Sequence, residues 1–103
     1  MKFYKPLPDC LTIKQSNIEG LGLFSTENIN KETNLGITHV KTDKQEFDYG
    51  FIRTPLGGFF NHSESPNCRV EENGDFIYLI TNEFIPKDSE ILAKYTLYDP
   101  TSI

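Results

Sequence analysis

The sequence predicts a mainly β domain, and three observations support this prediction. Short strand-like runs are frequent, and the strongest of them is Phe76–Thr81. Few stretches place apolar residues at helical spacing over three turns. The length of 103 residues suits one compact domain and excludes a TIM barrel or a full doubly wound dinucleotide-binding fold, which are larger.

The predicted strands follow one another along the chain. Residues 11–14 are rich in β-forming types, and residues 21–25 alternate only in part because a glycine interrupts them. Residues 91–96 form the last predicted strand. Residues 72–75 contain Asn-Gly and predict a hairpin turn before Phe76, because Asn and Gly tolerate positive φ.

Two segments share one pattern. Residues 29–35 and residues 85–91 both read Ile-x-Lys-acid-hydroxyl-x-aliphatic. Each suits the end of a strand, a polar turn and the start of another strand. We expect two similar β corners at opposite ends of the domain.

The net charge of −5 is unevenly distributed. Residues 1–45 carry six Lys against five acids, whereas residues 46–103 carry four basic residues against ten acids, a sum of −6. A basic face, which nucleic-acid binding needs, is therefore not expected. The acidic half suits a basic partner such as a Lys-rich peptide, and it equally suits plain solubility.

No apolar run reaches the length of a membrane helix, and the first residues lack the core of a signal peptide. We therefore expect a soluble, cytoplasmic protein with no membrane association. Cys10 and Cys68 are expected to be free thiols there. A disulfide and a shared metal site are the alternatives.

Three segments carry side chains that could do chemistry, and each alone is ambiguous. Residues 19–24 contain Gly-x-Gly, which suits a tight turn or bulge and also close approach to a ligand. Residues 57–68 contain Asn-His-Ser, where His62 is ordinarily a structural hydrogen-bonding residue. A hydrolase is excluded because Ser63 adjoins His62 with no nucleophile elbow and no placed acid. Residues 90–100 hold two tyrosines that suit packing or a shared pocket.

Together, and in this order, these motifs resemble the SET domain family of protein lysine methyltransferases. The motifs are Gly-x-Gly-Leu-Phe at 20–24, Asn-His-Ser-x-x-Pro-Asn-Cys at 61–68 and Glu-Ile-Leu-x-x-Tyr at 90–95. The likeness covers about residues 11–98, and its specific part is the Asn-His-Ser block. We expect a single SET domain over residues 1–103, with short tails at 1–9 and 99–103.

The resemblance implies a fold, a cofactor and a reaction. The fold is a β-clip of several small sheets with a C-terminal pseudoknot-like threading, which brings the strand of Asn61 and His62 beside that of Tyr95. The cofactor is S-adenosyl-L-methionine, bound on one face. A lysine of a protein or peptide substrate enters from the other face through a narrow channel.

The resemblance also implies residue roles. The implied cofactor-binding residues are Glu19, Gly20, Leu21, Gly22, Asn61, His62 and Tyr95. The backbone of the first four would line the methionine part, because close backbone approach needs glycine. The implied catalytic residues are Tyr95, with its hydroxyl near the transferring methyl, and Tyr98 on the channel wall. Lysine must react as the neutral amine, which a dry channel and a nearby sulfonium charge favour.

The sequence departs from the family pattern at several positions. Glu64 stands where many members have a zinc-binding Cys, so we expect no post-SET zinc and no metal. Gly58 stands where Arg is common. The corner glycines are replaced by Glu32-Thr33 and Ser89.

Many members of the family have a second active-site tyrosine after the first corner, and this sequence has Thr38 and His39 near that position instead. His39 is expected to be a surface imidazole or, alternatively, a channel residue. Because only five residues follow Tyr98, we expect the lysine channel to be closed by some other surface, for example a second copy of the chain in a homodimer.

Two other function classes remain alternatives to the methyltransferase. One is a non-catalytic SET-like module that binds a basic peptide or protein partner through the acidic half. The other is a metal-binding β protein that uses His39, His62 and Cys68.

Overall fold

The computed structural model describes residues 7–41 and 51–94, which contain eight strands and one short helix. The strands are β1 (Leu11–Gln15), β2 (Leu21–Ser25), β3 (Asn34–Lys41), β4 (Phe51–Arg53), β5 (Asn61–His62), β6 (Cys68–Asn73), β7 (Phe76–Thr81) and β8 (Leu92–Ala93). The helix α1 (Pro55–Phe59) lies between β4 and β5. The predicted mainly β class is confirmed.

The strands form two sheets. The hairpin of β1 and β2 is a separate two-stranded sheet, and the other six strands are ordered β4-β3-β7-β6-β8-β5. β6 and β7 form the predicted hairpin, in which Asn73 pairs with Phe76. Only Gly74 in that turn has positive φ, at 63°. A glycine at the first central position suits a type II′ turn, whose twist matches that of the strands.

The core forms where the sheets and the corners meet. In β7, Ile77 and Leu79 are fully buried while Phe76 is 40% exposed, as alternation along a half-buried strand requires. Each such side chain contributes about 1.5–3 kcal/mol when it is removed from water. Leu79 belongs to the hydrophobic core cluster, whose other buried members are Leu11, Leu23, Ile29, Leu35, Leu56, Phe60, Cys68, Ile85, Ile91 and Ala93.

The last described strand lies between two strands that are neighbours in sequence. β8 pairs in parallel with β5 on one side and with β6 on the other. The connection from β5 to β6 also bonds to it, because the amides of Ser63 and Asn67 donate to the carbonyls of Ala93 and Leu92, each at 3.1 Å. This insertion is the arrangement that the expected C-terminal threading produces. The predicted strand 91–96 is described only as far as residue 94.

The two corners with the shared sequence pattern are not at opposite ends of the domain, so that expectation was wrong. Ile29 and Ile85 form an antiparallel bridge and exchange two backbone hydrogen bonds of 2.8 Å. Their turns are alike, with positive φ at Glu32 (63°) and Asp88 (67°). The positive φ therefore falls on Asp88 and not on Ser89. The corners pair because the backbone amide and carbonyl groups of Ile29 and Ile85 need hydrogen-bond partners when they are buried.

Other expectations concern thiols and membranes. Cys10 and Cys68 are free thiols, and Cys68 is buried. In the part of the chain that the structure describes, no helix has the length and apolar character to cross a membrane.

Candidate functional site

Three segments that are far apart in sequence meet around the side chain of Asn61. Its Nδ2 donates to the carboxylate Oε2 of Glu90 at 2.7 Å. The same nitrogen lies 3.3 Å from the carbonyl oxygen of Glu19 and 3.5 Å from that of Leu21. The structure therefore brings together the Gly-x-Gly, Asn-His-Ser and Glu-Ile-Leu motifs.

Helix α1 and strand β5 place Asn61. Thr54 caps the helix, since its Oγ1 accepts from the amide of Gly57 at 3.3 Å and donates to the carbonyl of Ile37 at 2.6 Å. The chain leaves the helix through Phe60, which is only 5% exposed. With Phe60 held in the core, Asn61 pairs with Leu92 of β8. Its side chain is then directed at the β1–β2 loop.

The β1–β2 loop supplies the glycine motif. The amide of Ser16 donates to the carbonyl of Gly20 at 2.7 Å, and Gly20 has φ of 47°, in the left-handed region that favours glycine. A Cβ on Gly20 would meet nothing within 4 Å. A Cβ on Gly22 would lie 2.4 Å from Oε2 of Glu90. Position 22 therefore requires glycine, because the carboxylate of Glu90 occupies the space that a side chain would need. The motif alone did not indicate this reason.

Glu90 is a site residue that the sequence reasoning did not single out. Its carboxylate accepts from Oγ of Ser16, at 2.8 Å to Oε1 and 2.9 Å to Oε2, as well as from Asn61. Its carbonyl accepts from Nδ2 of Asn67 at 2.8 Å. Only its position in the sequence could have indicated this role, because Glu90 is the first residue of the third motif and precedes the fully buried Ile91.

His62 lies next to Asn61 but faces another set of partners. Its Nε2 is 3.1 Å from Oε1 of Glu64, whose other oxygen is 3.2 Å from Nζ of Lys94. These contacts with His62 and then Lys94 hold the pKa of the exposed Glu64 carboxyl below its ordinary value. The residue at the position of the family's zinc-binding Cys thus belongs to a surface ion pair.

The two predicted catalytic tyrosines, Tyr95 and Tyr98, lie outside the described residues. Ala93, two positions before Tyr95, pairs with His62 on one side and with Cys68 on the other. The predicted roles of the tyrosines stay predictions.

His39 is buried, so its expected place as a surface imidazole was wrong. It is 6% exposed, its Nδ1 is 2.9 Å from Oγ1 of Thr38, and its ring meets that of Phe51 edge-on with centroids 6.0 Å apart. Burial, and then the charge of Arg53, lowers the pKa of the imidazole. Within residues 7–41 and 51–94, no three His, Cys, Asp or Glu side chains lie close enough to hold a metal ion. The set of His39, His62 and Cys68 is therefore not a metal site.

The Asn61 cluster is rich in hydrogen-bond acceptors. It contains the carboxylate of Glu90 and the carbonyl oxygens of Glu19 and Leu21. Among residues 7–41 and 51–94, no Lys, Arg or His forms an ion pair with Glu90. An acceptor-rich site to which the described residues supply no cation suits a ligand that carries an ammonium group.

Comparisons with known proteins agree with the fold. The sequence model of the SET domain family matches residues 38–96. A solved structure of a Plasmodium falciparum protein, described as a candidate histone methyltransferase, is similar with a TM-score of 0.72 and 25% identity. That similarity covers 85% of this chain and 94% of the other.

The methyltransferase domain of human PR domain-containing protein 2 has the same fold, with a TM-score of 0.71 and 19% identity, over 94% of this chain and 84% of that one. A SET and MYND domain-containing protein of Dictyostelium discoideum is 27% identical over 89 residues, which is 86% of this chain. The chain spans only 11% of the length of that curated relative.

Proposed function

Because this chain belongs to the SET domain family, we propose that it is an S-adenosylmethionine-dependent protein-lysine N-methyltransferase. The observation that carries the proposal is the meeting of the Gly-x-Gly loop, Asn61 and Glu90. These are parts of three separate motifs, and neither the glycines of the loop nor Asn61 nor Glu90 belongs to the hydrophobic core cluster.

The residues present suit the cofactor that the family implies. The amino-acid end of S-adenosylmethionine carries an ammonium, which the acceptors around Asn61 would hold. Residues 19–21 are exposed, and a Cβ on Gly20 would meet nothing within 4 Å, so a ligand can approach the loop at this point. His62 would bind the adenine through its main chain.

In the proposed reaction, the main contribution of this chain is to align the methyl donor with the lysine amine. S-adenosylmethionine supplies an electrophilic methyl group on a sulfonium sulfur. In this proposal the Asn61 cluster would hold the amino-acid end, Tyr95 would orient the reacting groups with its hydroxyl, and Tyr98 would line the entry of the lysine. Alignment of this kind can supply roughly 7–11 kcal/mol of a reaction barrier.

A methyl-transfer assay tests the proposal. The chain is incubated with radiolabelled S-adenosylmethionine and a lysate, and labelled proteins are mapped by mass spectrometry. We expect label on lysine, loss of transfer in Tyr95→Phe with cofactor binding retained, and full transfer in the control Phe84→Leu, at an aromatic residue that is 51% exposed and lies outside the proposed site. Failure of the cofactor and of its demethylated product to raise the melting temperature contradicts the proposal.

A basic protein or peptide is the proposed substrate, and one groove supports that choice. It is an open groove of about 390 Å³ on the β3–β7–β6 sheet, lined by Asn34, Glu71, Glu72, Asn73, Tyr78 and Ile80. Glu71 and Glu72 already pair with Arg69 and Lys41, so a basic partner would share these carboxylates with the cations of the chain or displace them. The same groove supports the second candidate, a SET-like module that binds a basic partner without methyl transfer. In that case a Lys-rich peptide binds, no label is transferred and Tyr95→Phe has no effect.

A further inference from the structure

The carboxylate of Glu90 determines which end of the Asn61 amide faces it. Oε2 of Glu90 is 2.7 Å from Nδ2 of Asn61, and both oxygens of Glu90 accept from Ser16. If the amide were rotated by half a turn, its Oδ1 would face Glu90 and the carbonyl of Glu19. Such an arrangement places acceptors against acceptors with no proton between them, which is unfavourable.

The opposite end of the amide is therefore left for a ligand. Nδ2 has two hydrogens, and it already has three acceptors within 3.5 Å, on Glu19, Leu21 and Glu90. Oδ1 is the remaining polar atom of Asn61 and can only accept a hydrogen bond. An ammonium group can only donate, so an amide held in this orientation matches it.

We propose that Glu90 is a positioning residue that fixes the Asn61 amide so that Oδ1 is presented to the α-ammonium of S-adenosylmethionine. This inference rests on the proposed function and adds the residue that orients the amino-acid subsite. Ser16 supports Glu90 in turn, because its hydroxyl donates to the carboxylate while accepting from the amide of Ile18 at 2.9 Å. Gly22 completes the arrangement by leaving room for Oε2.

Two nucleosides separate this role from a general structural one. S-adenosylhomocysteine carries the α-ammonium, whereas 5′-methylthioadenosine lacks the amino-acid end and keeps the adenosine and sulfur. Their dissociation constants are measured by calorimetry for the wild-type chain, Glu90→Ala, Glu90→Gln and the exposed control Glu83→Ala.

We expect Glu90→Ala to weaken the binding of S-adenosylhomocysteine at least about ten-fold, which is the effect of losing a charge-assisted hydrogen bond. The binding of 5′-methylthioadenosine should be unchanged. Glu90→Gln restores most of the affinity, because its Oε1 accepts from Asn61 while its Nε2 donates to Ser16. Glu83→Ala binds both nucleosides as the wild type does.

A charge exchange keeps the proposal testable if Glu90→Ala does not fold. Asn61→Asp alone places two carboxylates against each other, and it should therefore weaken the binding of S-adenosylhomocysteine. Asn61→Asp combined with Glu90→Gln puts an amide donor back between them and leaves an acceptor for the ammonium. We expect the double variant to bind S-adenosylhomocysteine more tightly than Asn61→Asp alone.

Three results overturn the inference while the proposed function stands. In the first, Glu90→Ala loses affinity for both nucleosides equally. In the second, Glu90→Ala binds S-adenosylhomocysteine as tightly as the wild type does. In the third, the double variant binds S-adenosylhomocysteine no more tightly than Asn61→Asp. If the wild-type chain binds neither nucleoside, the proposed function itself fails and the inference fails with it.

Discussion

Gly57 lies so close to the carbonyl group of Thr38 that a side chain does not fit between them. A Cβ on Gly57 would be 2.2 Å from the carbonyl oxygen and 2.9 Å from the carbonyl carbon. That carbonyl cannot withdraw easily, because it also accepts from the amide of Thr54 at 2.9 Å. Helix α1 therefore packs on β3 through backbone contact, and this contact fixes where Asn61 begins the next strand.

Neighbouring glycines in α1 give a matched pair of variants. Gly57→Ala must displace backbone, so we expect it to lower the free energy of unfolding by about 1–3 kcal/mol or more, the cost of overpacking a tight site. Gly58→Ala meets nothing within 4 Å and replaces an exposed helical glycine, so we expect a change between zero and a gain of about 1 kcal/mol. Urea unfolding followed by circular dichroism measures both. Equal effects of the two substitutions would contradict the contact.

The corner at Asp88 offers a stabilising substitution. Its φ of 67° is in the left-handed region, which costs an L-residue about 1 kcal/mol or more relative to glycine. Its ion pair with Lys14, at 3.7 Å and largely exposed, contributes little. We expect Asp88→Gly to raise the melting temperature by several degrees and Asp88→Ala to lower it slightly. A lower melting temperature for Asp88→Gly than for Asp88→Ala would show that this φ is not the cause.

Local patterns in the sequence were sufficient for β2 and β7, because these strands are apolar and each is bounded by turn residues. They were insufficient for β6, whose exposed end reads Glu-Glu-Asn and which is extended because β7 pairs with it. The two-residue strand β8 likewise depends on its neighbours β5 and β6.

The site shows the same division. The motifs identified Gly22 and Asn61, since glycine and amide residues carry an evident chemical role. The link through Glu90 is a tertiary contact, and no periodicity in the sequence encodes which carboxylate meets which amide. The pairing of the corners at Ile29 and Ile85 was missed for the same reason, although their similar turns could be recognised.

The two thiols should differ in reactivity. Burial, with a smaller effect from the charge of Glu83, raises the pKa of Cys68 to about 12, whereas Cys10 is half-buried with a pKa raised chiefly by burial. At pH 8 the thiolate fraction of Cys68 is on the order of one in ten thousand, and only the thiolate reacts. We expect iodoacetamide to alkylate Cys10 first and Cys68 only after unfolding, as read by mass spectrometry. Rapid alkylation of Cys68 in the folded chain would contradict this burial.

Asn67 holds the last described strand through its side chain as well as its backbone. Its Nδ2 donates to the carbonyl of Glu90 at 2.8 Å, and its Oδ1 accepts from the amide of Leu92 at 2.9 Å. Asn67→Asp keeps the acceptor but loses the donor, so we expect the free energy of unfolding to fall by about 1–3 kcal/mol. Asn82→Asp, at a neighbouring turn, is the control. Hydrogen exchange of the Leu92 amide should quicken in Asn67→Ala, which also removes the acceptor of that amide, and unchanged exchange would contradict the role.

Protonation of His39 should make the fold sensitive to mild acid. Burial and the charge of Arg53 lower the pKa of His39 in the folded chain, whereas in the unfolded chain it is near the ordinary value of about 6.5. Above that value the imidazole is neutral in both states, and the stability due to the lowered pKa is fully present. As the pH falls below about 6.5, the unfolded chain binds the proton first, so stability is lost until the folded pKa is reached. We expect the melting temperature of the wild type to fall more between pH 7.5 and 5.5 than that of His39→Gln, which has no proton to bind there and keeps a side-chain amide that can form a hydrogen bond with Thr38. Parallel decreases in the two proteins would show that His39 is not the group responsible.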